Sequence, residues 1–227
     1  DRFGEKPLYY GLIQTNNKFD QKNLVFGSEL SIFKSLKNSN LDIDSSALSS
    51  FFKYGYIPAP LSIYSGIKKL SPGHLLKIVC NKNNGYAPFI IPKEFQWYKT
   101  KEIANKKFSM QQTNLNSEDY LRRLEQTLLS SINYQTISDV PLGTFLSGGI
   151  DSSLITALLQ SQKKDPISSF TISFPDDAYA NNKYFNEGPF AKLVAEYLGT
   201  NHTDVALTYE DAQKEIPNLS KIYSEPF

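Results

Sequence analysis

An α/β chain with an α+β beginning is the fold class predicted here, and three observations carry the prediction. In Val140–Gln160, VPLGTFLSGGIDSSLITALLQ, apolar strand, glycine turn and helix follow one another without a spare residue. From there to the end, strand-like and helix-like segments alternate, the pattern of a parallel sheet with right-handed crossovers. Before residue 90 the order differs, with short strands and helices punctuated by Pro and Gly turns.

The chain has 227 residues, of which 40% are hydrophobic, 13% aromatic and 21% charged, so the length suits one large or two modest domains of globular composition. Scattered Lys and Arg are matched by Asp and Glu to a net charge of +1, which gives no argument for nucleic acid or an anionic membrane. Small-molecule partners are expected instead. One cysteine, Cys80, excludes an internal disulfide framework and fits a reducing, cytoplasmic setting. No apolar run reaches transmembrane length, and the first thirty residues lack a signal-peptide pattern. With Asp1 at one end and Ser224-Glu225-Pro226-Phe227 at the other, both ends are expected to be cuts inside structured protein.

Taken in order, Asp1–Gly11 is a turn running into a strand, and Leu24–Phe26 pairs back on it across the polar turn Asn16–Asn23. Ser28-Glu29 starts a helix with Ile32, Phe33 and Leu36 on one face, capped by Ser28 or Gly27. Asp44 or Ser45 begins a second short helix through Ala47, Leu48, Phe51 and Phe52 that stops near Gly55. Tyr56–Lys69, with Pro58 and Pro60, is a loop leading to Ile67–Leu70; Pro72-Gly73 is a turn, His74–Val79 a strand, and Asn81–Gly85 another turn. Cys80 with His74 as its base would be a tempting nucleophile, but a six-residue offset on a strand does not bring two side chains together. Both histidines, His74 and His202, read as structural, and with one cysteine they make no metal site.

Residues 91–116 are rich in Lys, Asn and Gln and read as a linker pinned by Phe95, Trp97 and Tyr98. Ser117 then caps a long helix with Leu121, Leu124, Leu128 and Ile132 at helical spacing. Leu142–Leu146 is a buried strand, and Ser152 or Ser153 caps the helix Leu154–Gln160. Beyond the turn Ser161–Pro166, Ser168–Phe174 is a strand, Pro175–Asn186 a surface loop, and Glu187–Leu198 a helix stopped by Gly199. His202–Leu207 is a third strand; Tyr209–Ile216 and Lys221–Tyr223 are helical.

Between the Leu142–Leu146 strand and its helix, Ser147-Gly148-Gly149-Ile150-Asp151-Ser152-Ser153 reads as a phosphate cradle. Two glycines allow positive φ and a close backbone approach, and the first-turn N–H groups aim with the helix dipole at an anion. Ser147, Ser152 and Ser153 offer hydroxyl donors, and Asp151 can hold the Mg²⁺ that accompanies a nucleotide triphosphate. The loop has no lysine, so it lacks the group that a Walker loop places on the β- and γ-phosphates.

This pattern resembles the pyrophosphate loop of ATP pyrophosphatases, which cut ATP between the α- and β-phosphates to adenylate a substrate. A second resemblance covers nearly the whole chain. Asp1-Arg2-Phe3-Gly4-x-Lys6-Pro7-Leu8-Tyr9-Tyr10, Phe26-Gly27-Ser28-Glu29, Tyr56-Ile57-Pro58-Ala59-Pro60 and Ile67–Gly73 resemble the back half of the glutaminase domain of glutamine-hydrolysing asparagine synthetases. Val140–Gly143, Phe170-Thr171-Ile172, Ala191-x-x-Val194-Ala195-x-x-Leu198-Gly199-Thr200 and Tyr223-x-Glu225-Pro226-Phe227 resemble the start of their synthetase domain. The likeness implies residues 1–90 from an N-terminal-nucleophile glutamine amidotransferase domain, a linker at 91–116, and residues 117–227 from a parallel-sheet ATP-pyrophosphatase (adenine nucleotide α-hydrolase-like) domain.

It further implies asparagine synthesis from aspartate, with glutamine as nitrogen donor and ATP and Mg²⁺ as cofactors, through a β-aspartyl-AMP intermediate. By the same likeness Leu146 and Ile172 border the adenine and ribose through backbone groups, Ser147–Ser153 hold pyrophosphate, Asp151 holds Mg²⁺, and Asp1 holds the α-amino group of glutamine. No residue here matches the family's nucleophilic cysteine, so no catalytic residue is assigned within the chain. Ser173 stands where the family often has glycine and Ser224 where Asp is common, and Glu225 receives no role. Neither a related ligase acting on another carboxylate nor a non-catalytic nucleotide-binding piece is separated by these residues, and a homodimer is left open.

Overall fold

The computed structural model describes residues 1–14, 22–36, 41–81, 89–110, 116–174 and 186–227. The expected turns at Asn16–Asn23 and Asn81–Gly85 and the loop Pro175–Asn186 lie largely outside them. Two compact units are present, one made of Asp1–Gln112 with Pro217–Phe227 and the other of Thr113–Ile216. The last eleven residues, expected with the second domain, thus group with the first.

In the first unit, β1 (Tyr9–Gln14) is the middle strand, antiparallel to β2 (Lys22–Gly27) on one side and β3 (Ile67–Lys69) on the other. Its apolar face closes on α1 (Ser31–Lys34) and α2 (Ser45–Tyr54) in a core of Tyr9, Leu30, Phe33, Ala47, Ile57, Ile63 and Ile67. Helix α1 is a single turn whose N-cap is Leu30, three residues past the expected Gly27 and two past Ser28. Helix α2 begins and ends where its caps require. Asp44 accepts from Ser46 N and Ala47 N at 2.9 Å each, and Gly55 closes the helix at φ 75°.

Two elements fall on the interval read as a linker, the first beginning just before it. β5 (Phe89–Gln96) pairs antiparallel along the whole of β4 (His74–Asn81), and α3 spans Thr100–Met110. Pro92 and the lack of clean alternation hid β5; in a two-stranded pair each strand is an edge, so a proline is tolerated. A polar sequence with little apolar periodicity hid α3. Tyr10 Oη donates to Glu94 Oε1 and so ties β5 to β1.

Both Tyr9 and Tyr10 are buried. Burial first, then the charge of Glu225 and a hydrogen bond to it, pushes the Tyr9 phenol above its ordinary value. Burial and then the bond and charge of Glu94 do the same to Tyr10. Raised folded-state values favour the protonated phenols, so their stabilisation is fully present below the unfolded value of about 10 and is lost as pH rises past it. Denaturant midpoints are therefore expected to fall above pH about 10, and more steeply in the parent than in Tyr9→Phe/Tyr10→Phe. A midpoint independent of pH through that range would contradict this.

The second unit carries a three-stranded parallel sheet in the order β6 (Gly143–Phe145), β7 (Ser168–Ser173), β8 (Asn201–Ala206). Before it comes α4 (Ser117–Gln135), whose N-cap is Asn116, not Ser117: the amide oxygen accepts from Asp119 N at 2.8 Å. Ile132 of α4 packs on Leu158 and Leu159 of α5 (Ile150–Ser161). Helix α6 (Gly188–Leu198) ends on Gly199 in the left-handed conformation. α7 (Tyr209–Glu215) opens with a reciprocal Thr208–Asp211 capping box, and a 3₁₀ turn (Ile216–Asn218) leads to α8 (Leu219–Ile222).

One face of the sheet carries small polar residues. Thr144 of β6 meets Thr156 of α5 at 3.1 Å, and Ser169 and Thr171 of β7 are buried beneath the helices. Small side chains there let α5 and α6 lie close to the backbone, which brings the α6 N-terminus to the end of β6.

Candidate functional site

The cradle lies where β6 gives way to α5, at the carboxyl end of a parallel strand. Helix α5 starts at Ile150, four residues earlier than expected, with Gly149 as N-cap (φ −73°, ψ 164°). Ser152 and Ser153 are therefore in its first turn, not at its cap. Because Gly149 has no side chain, nothing caps the helix, and first-turn N–H groups at Ile150 and Asp151 have no intrahelical acceptor. A helix start of this kind is suited to an anion.

Only the first of the two glycines adopts positive φ. Gly148 sits at φ 78°, and a Cβ on it would lie 2.6 Å from Phe190 Cβ and 2.8 Å from Ala191 N. The first turn of α6 thus presses on the loop, and only glycine fits between them. Gly149 has ordinary dihedrals, and a Cβ there would meet nothing nearer than Ser147 Oγ at 3.3 Å.

The serine hydroxyls brace the loop. Ser147 Oγ and Ser152 Oγ are 2.8 Å apart, Ser147 N donates to Ser152 Oγ at 3.2 Å, and Gly149 N donates to Ser147 Oγ at 3.3 Å. Ser153 Oγ is buried without a hydrogen-bond partner. Asp151 is exposed in the first turn, where a carboxylate complements the helix dipole. Among the described residues no three His, Cys, Asp or Glu side chains gather as a metal site. A magnesium ion that keeps most of its ligands from phosphate and water needs only one such carboxylate, so Asp151 fits that role.

Leu146 and Ile172 are placed differently from one another. Leu146 is 1% exposed, packed on Ala191, Ala195 and Val194, and its N–H donates to Phe170 O at 2.8 Å. Ile172 is 52% exposed on the sheet face away from α5 and α6 and pairs in register with Val205 of β8. On the covered side, Ser173, Asn186, Gly188, Pro189, Lys192 and Asp204 line a cleft of about 450 Å³ at the carboxyl ends of β7 and β8. Apart from Ser173, noted only as a departure from the family's glycine, these residues were not singled out in the sequence. The signal available was Asn186-x-Gly188-Pro189 before a helix, since Asn186 Oδ1 accepts from Gly188 N at 3.2 Å.

In the first unit, Asp1 is committed to its own turn. Its Oδ1 accepts from Phe3, Gly4 and Glu5 N–H groups at 2.9, 2.6 and 3.2 Å, and Oδ2 accepts from Lys6 N at 3.0 Å. One acceptor position on Oδ2 is left. His74 Nδ1 lies 2.8 Å from Pro72 O, and His202 Nδ1 lies 2.9 Å from Ser169 Oγ, consistent with structural roles for both rings. Glu225 is bound to Lys69 at 2.8 Å, a pairing that no local pattern foretells.

A parallel α/β unit with an uncapped helix start behind a lysine-free Ser-Gly-Gly loop, joined to an antiparallel α+β unit, defines a class of two-part proteins with a helix start suited to an anion. Comparison with known proteins narrows it. Residues 123–227 match the asparagine synthase family, and residues 1–89 match the glutamine amidotransferase domain family. The chain is 30% identical over 230 residues to a putative asparagine synthetase [glutamine-hydrolyzing] 2 of Methanocaldococcus jannaschii, covering all of this chain and 39% of that protein. It is 29% identical over 226 residues to asparagine synthetase [glutamine-hydrolyzing] 1 of Bacillus subtilis, covering all of this chain and 31% of that protein. With amidase chry2 of Gibberella zeae the identity is 28% over 216 residues, 88% of this chain and 28% of that protein. The chain belongs to the glutamine-hydrolysing asparagine synthase family, and it spans less than two-fifths of the length of these relatives.

Proposed function

We propose that the protein makes asparagine from aspartate, using ATP and nitrogen taken from glutamine. The observation that carries the proposal is the Ser147–Ser153 loop, with an uncapped helix start, a glycine held at positive φ by α6, and no lysine. The aspartate side-chain carboxylate attacks the α-phosphorus of ATP, the bond to the β-phosphate oxygen breaks, and β-aspartyl-AMP and pyrophosphate form. First-turn N–H groups at Ile150 and Asp151 stabilise the negative charge gathering on the pyrophosphate. Mg²⁺ held by Asp151 would neutralise part of the same charge.

Ammonia released from glutamine then displaces AMP from the acyl carbon. In this reading residues 1–90 belong to the glutaminase domain and 117–227 to the synthetase domain, with Asp1 facing the glutamine amine. Leu146 and Ile172 border the nucleotide, Leu146 only through its backbone because its side chain is in the core. The splitting of glutamine is assigned to no residue of this chain, and the reaction is assigned to the cytoplasm.

The test is an acceptor panel on the full-length protein with Mg-ATP and glutamine, reading amide product and pyrophosphate for aspartate, glutamate and larger carboxylic acids. Aspartate is expected to give asparagine with equimolar pyrophosphate. Turnover with another acid and none with aspartate would move the assignment to a different ligase of the same build.

A further inference from the structure

Residues 217–227 pack on the first unit although the chain has by then traversed the second. Little in the segment accounts for that by itself. Helix α8 is a single turn with no buried residue and no side-chain cap, and the 3₁₀ turn before it likewise buries nothing.

The attachment has a polar centre. Lys69, on β3, donates to Glu225 Oε2 at 2.8 Å and to Ile57 O at 2.9 Å, with its ammonium 5.4 Å from the centre of the Tyr9 ring. Both charged side chains are only 17% exposed. The ion pairs Lys99–Glu102, Arg122–Glu118 and Lys214–Asp211 each fall within one helix turn and are far more exposed. Lys69 and Glu225 are 156 positions apart. Exposed local pairs of that kind contribute little, whereas removing one partner of a largely buried pair strands the other charge. Glu225 Oε1 is already buried without a partner, so the carboxylate depends on what Oε2 and the Tyr9 hydroxyl supply.

We propose that Lys69 and Glu225 form a clasp that fixes the chain's return from the second unit onto the first, and that this clasp couples glutamine hydrolysis to amide synthesis. The first half of the statement stands on the geometry; the second rests on the proposed function. Lys69 is a positioning residue, acting through the segment that it holds. Without the clasp both reactions persist, but ammonia made in one domain is captured less often in the other.

The test uses full-length protein with Lys69→Met, which keeps an apolar stem, and Lys69→Arg, which keeps the charge. Amide hydrogen exchange across 217–227 is expected to speed up by about tenfold or more in Lys69→Met, to recover in Lys69→Arg, and to stay at parent rates in α5. Glutamine hydrolysed per amide formed is expected to rise by about two- to thirtyfold, the range for mutations that alter coupling between sites. Unchanged exchange across 217–227 overturns the clasp. Faster exchange with an unchanged ratio overturns the coupling. If the parent forms no amide from glutamine at all, the functional reading fails while the exchange result still decides the clasp.

Discussion

Asp151→Ala in the full-length protein is expected to lower amide synthesis by about 10²–10³-fold, the loss seen when one preorganised charge-stabilising group is removed. Synthesis should fall equally with glutamine and with free ammonia, while glutamine hydrolysis continues at the parent rate. The stability effect decides whether such a loss is chemical. Asp151 is exposed in the first turn of α5, so its removal forfeits a dipole interaction of about 0.3–1 kcal/mol and no packing. A folded protein with intact glutaminase turnover and no synthesis therefore points to the metal and pyrophosphate. Synthesis that survives the substitution would remove Asp151 from that role.

Gly148→Ala is expected to act through structure instead. The left-handed conformation costs an alanine about 1–2 kcal/mol, and a Cβ overlapping the α6 backbone adds about 1–3 kcal/mol of overpacking. A loss of roughly 2–5 kcal/mol in denaturant unfolding follows, with synthesis lost alongside because α6 and the loop must separate. Gly149→Ala is the matched control. Its dihedrals are ordinary and an added Cβ would meet only the Ser147 hydroxyl, at 3.3 Å, so it should cost about 1 kcal/mol or less as a weaker N-cap. Equal penalties at the two positions would show that α6 does not press on the loop as described.

These two glycines also show how far the sequence could be read. The strand–loop–helix order and the alternation behind the parallel sheet are local patterns, and the structure contains them. Caps were legible as well: Gly55 and Gly199 sit where expected, and of the two candidates Asp44 and Ser45 it is Asp44 that caps α2. Which glycine needs positive φ was not legible, because the demand comes from Phe190 and Ala191, some forty residues on. The cap of α5 was misplaced for a related reason. Serine is a good N-cap, but Ser152 spends its hydroxyl on Ser147 and leaves Gly149 at the helix start.

Elsewhere the missing information is tertiary. β5 carries a proline and is a strand only because β4 lies beside it. The Lys69–Glu225 pair spans most of the chain, and neither residue stands in a local pattern that names the other. Glu225 had a family resemblance around it and no role; the fold supplies a partner.

The bond of ATP that breaks tests the reading of Ser147–Ser153 most directly. With full-length protein, aspartate, glutamine and Mg-ATP, nucleotide and phosphate products are separated and counted against asparagine formed. The expected result is AMP and pyrophosphate in equal amounts, one of each per asparagine. ADP with inorganic phosphate would mean that the lysine-free loop does γ-phosphoryl chemistry after all, and would contradict it.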